Sequence, residues 1–392
     1  MISVNQAKDI LKATVSTGEI KHLPLSKTLD LIAAEDIFSP IEVPSFDNSA
    51  MDGYAITWED NLDTWEITDV IAAGNGKQHQ LQYGKAGRIF TGAPLPKGSD
   101  TVIPQEFVHR EGNLIRIIDK GKFQKGSNVR FKGAQTKTGE VILKKGSQIT
   151  PGTIGLLASV GISEIPVFTP PKVAIIITGN ELQELGKPLA FGQIYNSNGP
   201  VLESYLKKLG IHDILAYQAE DEPEATQKII EEALAKADVV LLTGGISVGD
   251  YDYVKNGLEN AGVKELFYKI RQKPGKPLFA GKKGRQMVFA LPGNPASVIT
   301  CFNQYVRPSL LQWLGHTASW KASEVLPLAN DYIRKAGLTF FLKARVEQGV
   351  VHILNGQESF NMISFGSSNC LAEVPEEIEQ LKAGEKIAVY YW

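Results

Sequence analysis

The sequence predicts a multidomain chain of α/β and β type, with a central doubly wound α/β domain in three layers. Three observations lead to this prediction. A chain of 392 residues is too long for one ordinary hydrophobic core. Strands and helices alternate only between residues 171 and 318, which is typical of a parallel sheet with helices on both faces. On either side of this segment, short apolar runs are separated by Gly, Asn and Asp turns, as in β-rich domains.

The N-terminal segment is predicted to be helical. Ser3 is placed to cap an amphipathic helix, and a second helix is expected through Leu29 and Ala34, ending near Asp36. Thr150 and Pro151 supply an N-cap and a first-turn proline to a later helix. We therefore assign residues 1–43 and 144–170 to one helical linker domain.

Three further domains follow from the changes in apolar pattern. Residues 44–143 carry short strands and are predicted to form a β-rich, barrel-like domain. Residues 171–318 open with the unbroken apolar run Val173–Ile177, which is expected of a strand buried on both faces. Residues 319–392 return to alternating strands and are predicted to form a small C-terminal β domain.

Composition limits the partners that the chain can have. Its 41 basic and 43 acidic residues give a net charge of -2, which provides no basic surface for nucleic acid or for an anionic membrane. The two cysteines, Cys301 and Cys370, fit neither a metal site nor a disulfide framework, and both lie in apolar surroundings. With no secretory signal pattern and no membrane-spanning run, we expect a cytoplasmic protein.

Polar side chains gather where the predicted parallel strands end. Ligands of open parallel sheets bind at the carboxyl ends of the strands, so these segments are expected to lie along one edge. The four segments are Thr178–Glu181, Ala219–Pro223, Thr243–Tyr253 and Leu291–Pro295. The last of them, with Pro292, Asn294 and Pro295, also opens a long helix predicted from Ala296 to Trp313.

One of these turns is predicted to bind an anion. Gly244 and Gly245, followed by Ser247, lie between a strand and a helix, where backbone N–H groups can approach a phosphate. A simple tight turn is the alternative, because a glycine pair alone is a weak signal. Neither a GxGxxG nor a Walker A pattern is present.

Three carboxylates are expected at three strand ends: Glu181, Asp221 and Asp252. Uncompensated, they would repel one another and resist desolvation, and a divalent cation relieves this. Carboxylates together with phosphate oxygens are the usual ligands of Mg²⁺. The sequence therefore predicts a magnesium site, although helix N-capping is an alternative role, above all for Asp221.

A basic segment is predicted at the same edge. Lys269, Lys273 and Lys276 lie in the run Lys269–Pro277, whose Pro-Gly-Lys-Pro turn restricts the backbone. A solvated face is the ordinary interpretation of such a run. Fixed cations beside a metal ion would instead suit a phosphorylated or oxyanionic substrate.

The segment Pro44–Ala55 follows neither a helical nor a strand period, yet it contains Phe46, Met51 and Tyr54. We expect a packed loop; a turn capped by its own Asn and Asp side chains is the alternative. This segment resembles the signature of the molybdopterin molybdenumtransferases, the molybdenum insertases that include MoeA and the C-terminal part of gephyrin. Further stretches resemble the same family in order and spacing: Arg88–Pro94, Asn128–Gly133, Gln193–Asn198, Gly244–Tyr253, Lys273–Pro277 and Leu291–Pro295.

The resemblance implies a fold, a reaction and partners. It implies four domains, with the α/β domain resembling molybdopterin-binding domains, in an elongated homodimer with a shared active site. The implied reaction inserts molybdenum from molybdate into adenylylated molybdopterin, with Mg²⁺ as cofactor and release of AMP. The partners are therefore adenylylated molybdopterin, molybdate and a second copy of the chain.

Family roles are carried over by position. Asp52 and Thr91 match residues that would close the cleft from the partner subunit, and Ser364 matches a serine that reaches the cleft. Glu181, Asp221 and Asp252 match the acidic cluster, while Lys269 and Lys273 match the basic residues that face molybdate and phosphate. Three positions depart from the family pattern: Gln135 and Asn180 stand where Asp is usual, and Lys343 stands where Arg is frequent. The resemblance makes Lys343 a substrate-binding residue, in which lysine keeps the charge but loses the planar fork for oxyanions.

Two other functions remain open at this point. Molybdopterin adenylyltransferases resemble the α/β domain but consist of little else, so the flanking β domains argue against that assignment. A non-catalytic, degenerate paralogue that binds pterin or acts as a scaffold is the second alternative, and the three departures keep it open.

Overall fold

The structure is a computed structural model that describes residues 1–74, 76–219, 222–245 and 253–392, with the side chain of Tyr253 excepted. The chain divides into two compact units. The first comprises residues 1–21, 30–34 and 166–392, and the second comprises residues 22–29 and 35–165. In the described part of the chain, no helix is long and apolar enough to span a bilayer. The four predicted domain boundaries stay predictions.

The first unit begins with helix α1, Val4–Thr14. The Ser3 hydroxyl accepts a hydrogen bond from the backbone N–H of Gln6, which confirms Ser3 as the predicted N-cap. The Gln6 side chain accepts one from the backbone N–H of Ser3 and completes a capping box. The apolar face of α1, including Ala7 and Leu11, packs into the core of this unit.

The second predicted helix, through Leu29 and Ala34, is wrong. Residues Leu25–Lys27 form one 3₁₀ turn. Residues 32–34 are extended and fully buried, and the N–H of Ala34 donates to the carbonyl of Pro166 at 2.9 Å. Consecutive residues are buried here, so both faces of the backbone contact protein. This packing determines the local structure more strongly than the helical spacing of apolar residues on which the prediction rested.

A six-stranded sheet organises the second unit. In chain order its strands are β1 Gly53–Ile56, β2 Thr64–Ile71, β3 Lys85–Ile89, β4 Thr101–Pro104, β5 Val108–Glu111 and β6 Leu114–Ile117. Their spatial order is β4-β1-β3-β2-β6-β5, and two apolar clusters lie on the sheet. Helix α2, Pro151–Ser159, follows with Thr150 as its N-cap, as predicted.

The centre of the first unit is a second six-stranded sheet. Its strands are β7 Val173–Thr178, β8 Ile214–Ala219, β9 Val239–Thr243, β10 Lys264–Lys269, β12 Pro277–Lys283 and β13 Gln286–Leu291, while β11 Gln272–Lys273 belongs to another sheet. The spatial order is β8-β7-β9-β13-β12-β10. The first four strands are parallel, whereas β12 is antiparallel to both of its neighbours, β13 and β10, so β10 runs in the same direction as the first four.

Helices cover both faces of this sheet. They are α3 Asn198–Lys208, α4 Pro223–Lys236, α5 Tyr253–Asn260 and α6 Pro295–Cys301. Alternate residues of β7 belong to different cores: Val173, Ile175 and Ile177 pack with α1, α3 and α6, whereas Ala174 and Ile176 pack with α4 and α5. The predicted doubly wound, three-layer α/β domain is confirmed.

The long helix predicted from Ala296 to Trp313 is interrupted by a π-helical segment. After α6, residues Phe302–Val306 are π-helical, and α7 continues over Arg307–Trp313. The N–H of Arg307 bonds to the carbonyl of Phe302, five residues back. Pro308 explains the change, because its ring cannot donate a hydrogen bond and would clash with the preceding turn of a regular helix.

The C-terminal residues form a third six-stranded sheet. Its strands are β11 together with β14 Glu324–Pro327, β15 Thr339–Glu347, β16 Val350–Ile353, β17 Cys370–Val374 and β18 Lys386–Tyr391, and the short helix α8 spans Ile363–Ser367. Strand β11 pairs with β15 in parallel, so the basic segment of the α/β domain continues directly into this sheet. The predicted C-terminal β structure is confirmed.

The remaining elements are short. They are the strands Ile20–Pro24, Ile37–Phe38, Asn48–Ser49, Val129–Arg130, Val141–Leu143, Glu164–Phe168, Leu182–Gln183, Ile194–Tyr195, Tyr332–Ile333 and Gln380–Leu381, with 3₁₀ turns at Gln105–Phe107 and Lys120–Lys122.

Candidate active site

A cavity of about 980 Å³ lies at the carboxyl edge of the central sheet. The parallel register aligns Ile177 of β7 with Thr243 of β9, and Thr243 with Leu291 of β13, so the three strands end at the same level. The segments that leave these strands line the cavity with residues that include Thr178, Glu181, Thr243, Gly244 and Pro292 to Pro295. The fourth predicted segment, 219–223, contains residues outside those that the structure describes.

The two glycines after β9 allow the chain to pass close to β7. Gly244 has a φ of +91°, and a Cβ there would lie 2.3 Å from the carbonyl oxygen of Thr178. Gly245 has a φ of +64°, and a Cβ there would lie 2.6 Å from Cγ2 of Val254. Only glycine fits either position. Gly244 lines the cavity; anion binding by both glycines stays a prediction, and Ser247 lies outside the described residues.

Asn198 is a cavity residue to which the sequence analysis assigned no role. Its Nδ2 donates to Oγ1 of Thr243 and to the carbonyl of Gly293, both at 2.9 Å. Because a carbonyl can only accept, the amide orientation is fixed, and Oδ1 has no hydrogen-bond partner among the described residues. Oγ1 of Thr178 is also buried and has no partner in the same part of the chain. The run of polar residues at 196–198 could have indicated a polar site, but the sequence does not show which of these side chains faces the cavity.

Glu181 provides the acidic side of the cavity. A Cβ at Gly179 would lie 2.9 Å from Oε2 of Glu181, so the glycine makes room for this carboxylate. Asp221 and Asp252 lie outside the described residues, and among the rest no group of three or more His, Cys, Asp or Glu side chains could hold a metal ion. One carboxylate fits Mg²⁺ together with Thr178 of the same cavity, whose buried hydroxyl has no partner within the described ranges, because Mg²⁺ usually keeps several waters and takes few protein ligands beside substrate phosphates.

Two lysines provide the basic side. Lys273 and Lys276 line the cavity, and both side chains are exposed. Within the described ranges, neither forms an ion pair. Nζ of Lys273 lies 5.6 Å from the ring centroid of Phe340. Lys269, at the end of β10, does not line the cavity; its carbonyl accepts from the N–H of Ile2.

Lys343 and Ser364 stand behind the cavity wall instead of lining it. Nζ of Lys343 donates to the carbonyls of Glu358 at 3.2 Å and Asn361 at 2.9 Å, and burial lowers the pKa of this lysine. Oγ of Ser364 donates to the carbonyl of Gly356 at 2.8 Å. Both therefore hold the segment 355–362, whose side chains reach the cavity at Gln357, Ser359, Phe360 and Met362.

In the second unit, the structure brings Asp52 and Thr91 together. Oδ1 of Asp52 accepts from the backbone N–H and from the hydroxyl of Thr91, both at 2.8 Å. These bonds, the backbone bond first, lower the pKa of Asp52, and the charge of Arg88 adds to the effect. The surrounding loop is packed through Tyr54, which is buried, whereas Phe46 and Met51 are exposed, contrary to expectation.

The comparisons with known proteins agree over the whole chain. Residues 2–161 match the MoeA N-terminal region (domain I and II), residues 174–312 match a probable molybdopterin binding domain, and residues 325–392 match the MoeA C-terminal region (domain IV). Molybdopterin molybdenumtransferase from Haemophilus influenzae is 36% identical over 399 residues, covering 99% of this chain and 98% of that protein. The protein of the same name from Staphylococcus aureus strain Mu50 is 32% identical over 403 residues, covering 98% and 92%.

Similarity extends to a solved structure. The crystal structure of the molybdopterin biosynthesis MoeA protein from Pyrococcus horikoshii matches with a TM-score of 0.86 and 32% identity. The match covers 100% of this chain and 99% of that one. The predicted fold class is confirmed over all domains.

The hydrogen bonds between Asp52 and Thr91 lead to a testable prediction about the pKa of Asp52. Since the pKa of Asp52 is lowered, its stabilising contribution is present above the unfolded pKa and is lost as the pH falls through the folded pKa. Thr91→Val removes one of the two bonds, so the pKa of Asp52 should rise part of the way towards its ordinary value, about 3.9. Carbon-13 NMR titration of the carboxyl measures it. The control is Thr64→Val, at an exposed strand position; equal pKa values in Thr91→Val and Thr64→Val would contradict the assignment.

Proposed function

Because this chain belongs to the molybdopterin molybdenumtransferase family, MoeA, we propose that it inserts molybdenum from molybdate into the adenylylated form of molybdopterin and releases AMP. It is an enzyme of molybdenum cofactor biosynthesis, a transferase that acts on molybdopterin. The observation that carries the proposal is a cavity at the carboxyl edge of the sheet with Glu181 on one side and two lysines without ion-pair partners among the described residues on the other.

The basic side suits the anionic parts of both substrates. Lys273 and Lys276 each offer a compact positive charge with three donors, which matches molybdate oxygens and phosphate oxygens alike. Neither lysine forms an ion pair with a carboxylate of the described residues, so both charges are available to an anion. The reaction needs aligned reactants more than acid–base catalysis, and two cations that become ordered on the bound anions supply that alignment.

The acidic side suits a metal ion. We assign Mg²⁺ to Glu181, with Asp221 and Asp252 as further ligands predicted from the sequence. The bound ion would supply a positive charge that bridges and neutralises phosphate oxygens. Glu181 holds this position because the chain turns at Gly179, leaving its carboxylate beside the strand end.

The second copy of the chain is part of the proposal. Asp52 and Thr91 form a hydrogen-bonded pair that is exposed in a single copy, and in the family-based assignment the partner subunit supplies this pair to the cleft. We also propose a cytoplasmic location, which the two buried, unpaired thiols Cys301 and Cys370 support.

Neither alternative function is favoured. Adenylyltransferases consist of little more than the α/β domain, so this function does not account for the MoeA regions matched at residues 2–161 and 325–392. A degenerate scaffold was suggested by Gln135, Asn180 and Lys343. Of these, Lys343 donates to two backbone carbonyls of the segment 355–362, which reaches the cavity, so this lysine still has a role in supporting the cavity lining.

The metal assignment predicts the behaviour of Glu181→Gln. This substitution keeps the shape of the side chain but removes its charge, so the Mg²⁺ concentration that supports half-maximal AMP release should rise at least about tenfold. AMP release from adenylylated molybdopterin and molybdate is measured over a Mg²⁺ series. The matched control is Glu184→Gln, since Glu184 pairs with Lys187 at 2.7 Å and does not line the cavity. Equal Mg²⁺ requirements for the two variants would remove Glu181 from the metal site.

The shared-site assignment predicts complementation between two inactive variants. After Asp52→Ala and Lys273→Ala subunits are mixed and exchanged, half of the dimers are mixed and each has one intact site, so activity should recover to about one quarter of wild type. As a control, Lys276→Ala mixed with Lys273→Ala should show no gain over the two variants alone, because both residues line the cavity of the same subunit. AMP release measures both mixtures. Mixed dimers, verified by mass spectrometry, that stay inactive in the first mixture would refute the shared site.

A further inference from the structure

A buried amide lies directly behind the two cavity lysines. Gln272 is 1% exposed, and its Nε2 donates to the carbonyls of Pro274 and Gly275, both at 3.0 Å. These two carbonyls belong to the segment between Lys273 and Lys276. One side chain therefore holds the backbone of the lysine loop, defined here as residues 273–276, from its buried side.

The orientation of this amide is fixed. Its Nε2 must face the two carbonyls, because carbonyl oxygens only accept hydrogen bonds. Its Oε1 accepts from the hydroxyl of Tyr305, which is fully buried. Tyr305 lies in the π-helical segment Phe302–Val306, and its ring packs edge-on against Phe267. The irregular turn of the long helix thus places the hydroxyl that orients Gln272.

The loop also packs closely on helix α6. Gly275 has a φ of +82°, and a Cβ at this position would lie 2.5 Å from Sγ of Cys301. Sγ of Cys301 in turn donates to the carbonyl of Gly275 at 3.6 Å. The backbone of the loop is therefore held on its buried side, while the side chains of Lys273 and Lys276 are exposed at the cavity.

We propose that Gln272, oriented by Tyr305, is a positioning residue that fixes the lysine loop for anion binding. This inference rests on the proposed function. Long lysine side chains lose rotamer entropy when they bind, and a mobile backbone beneath them would add to that cost. With the carbonyls of Pro274 and Gly275 held, only the side chains need to be ordered when molybdate and the substrate phosphates arrive. Gln272 and Tyr305 themselves touch no substrate.

The decisive variant is Gln272→Met, which keeps the length of the side chain and loses both hydrogen-bonding groups. Since the loop then loses two backbone contacts, KM for molybdate should rise about tenfold or more, whereas kcat should change less than about threefold. Tyr305→Phe, which removes only the orienting hydroxyl, should raise KM by a smaller factor, about threefold. In the double variant the two effects should not multiply, because both act through the same amide.

Gln304→Met is the matched control. Gln304 is equally buried, and its Nε2 donates to Oδ1 of Asn303, away from the loop. This substitution also removes a buried amide, so it reports loss of stability without loss of the loop contacts. Its KM for molybdate should equal that of the wild type.

A second measurement does not depend on turnover. The N–H of Ile270 bonds to the carbonyl of Lys276 at 3.0 Å, and its hydrogen exchange should accelerate in Gln272→Met but not in Gln304→Met. Unchanged exchange and unchanged KM in Gln272→Met would overturn the inference; if that variant does not fold, the same two results in Tyr305→Phe would do so. If the wild type itself releases no AMP, the proposed function fails, and hydrogen exchange alone still decides whether Gln272 fixes the loop.

Discussion

The parallel register of three neighbouring strands is the constraint on which the candidate site depends. Strands β7, β9 and β13 run in the same direction and end at the same level, so the chain leaves the sheet three times along one edge. The turn at Gly244 fits only because a glycine lies against the carbonyl of Thr178. Residues separated by more than a hundred positions in the sequence therefore face one cavity, and this follows from hydrogen bonding between strands.

Two parts of the cavity lining are stabilised in different ways. On the basic side, a neutral buried amide holds the lysine loop, so the two lysines keep their charges for a ligand. The segment 355–362, which also reaches the cavity, is held by a charged side chain, because Lys343 donates to two of its backbone carbonyls. A buried cation that is bonded to carbonyls stabilises the shape of the cavity. An exposed cation that forms no ion pair with a carboxylate can instead bind an anionic ligand.

Much of the fold could be predicted from periodicity and turn chemistry. Unbroken apolar runs identified β7 and β9, and the Thr-Pro pair placed the start of α2 correctly. The helix expected through Leu29 and Ala34 is absent because three consecutive buried residues pack without helical structure, which local spacing cannot reveal.

For the candidate site, the rule that ligands bind at the carboxyl edge of the sheet correctly indicated that Glu181, Gly244 and the lysine loop line one cavity. The same rule missed Asn198 and Gln272, because the sequence does not show which polar residue within a polar run is buried or faces the cavity. Lys343 was assigned to substrate by resemblance alone, and its contacts depend on a loop that folds back from later in the chain.

The central claim is that the phosphate-bearing substrate binds at this carboxyl edge, between the glycine turn and the lysine loop. A crystal structure of the protein with adenylylated molybdopterin tests it most directly. We expect the pyrophosphate group in the cavity, in contact with Glu181, Gly244 and the lysines Lys273 and Lys276. An ordered ligand at any other surface, with this cavity empty, would disprove that placement.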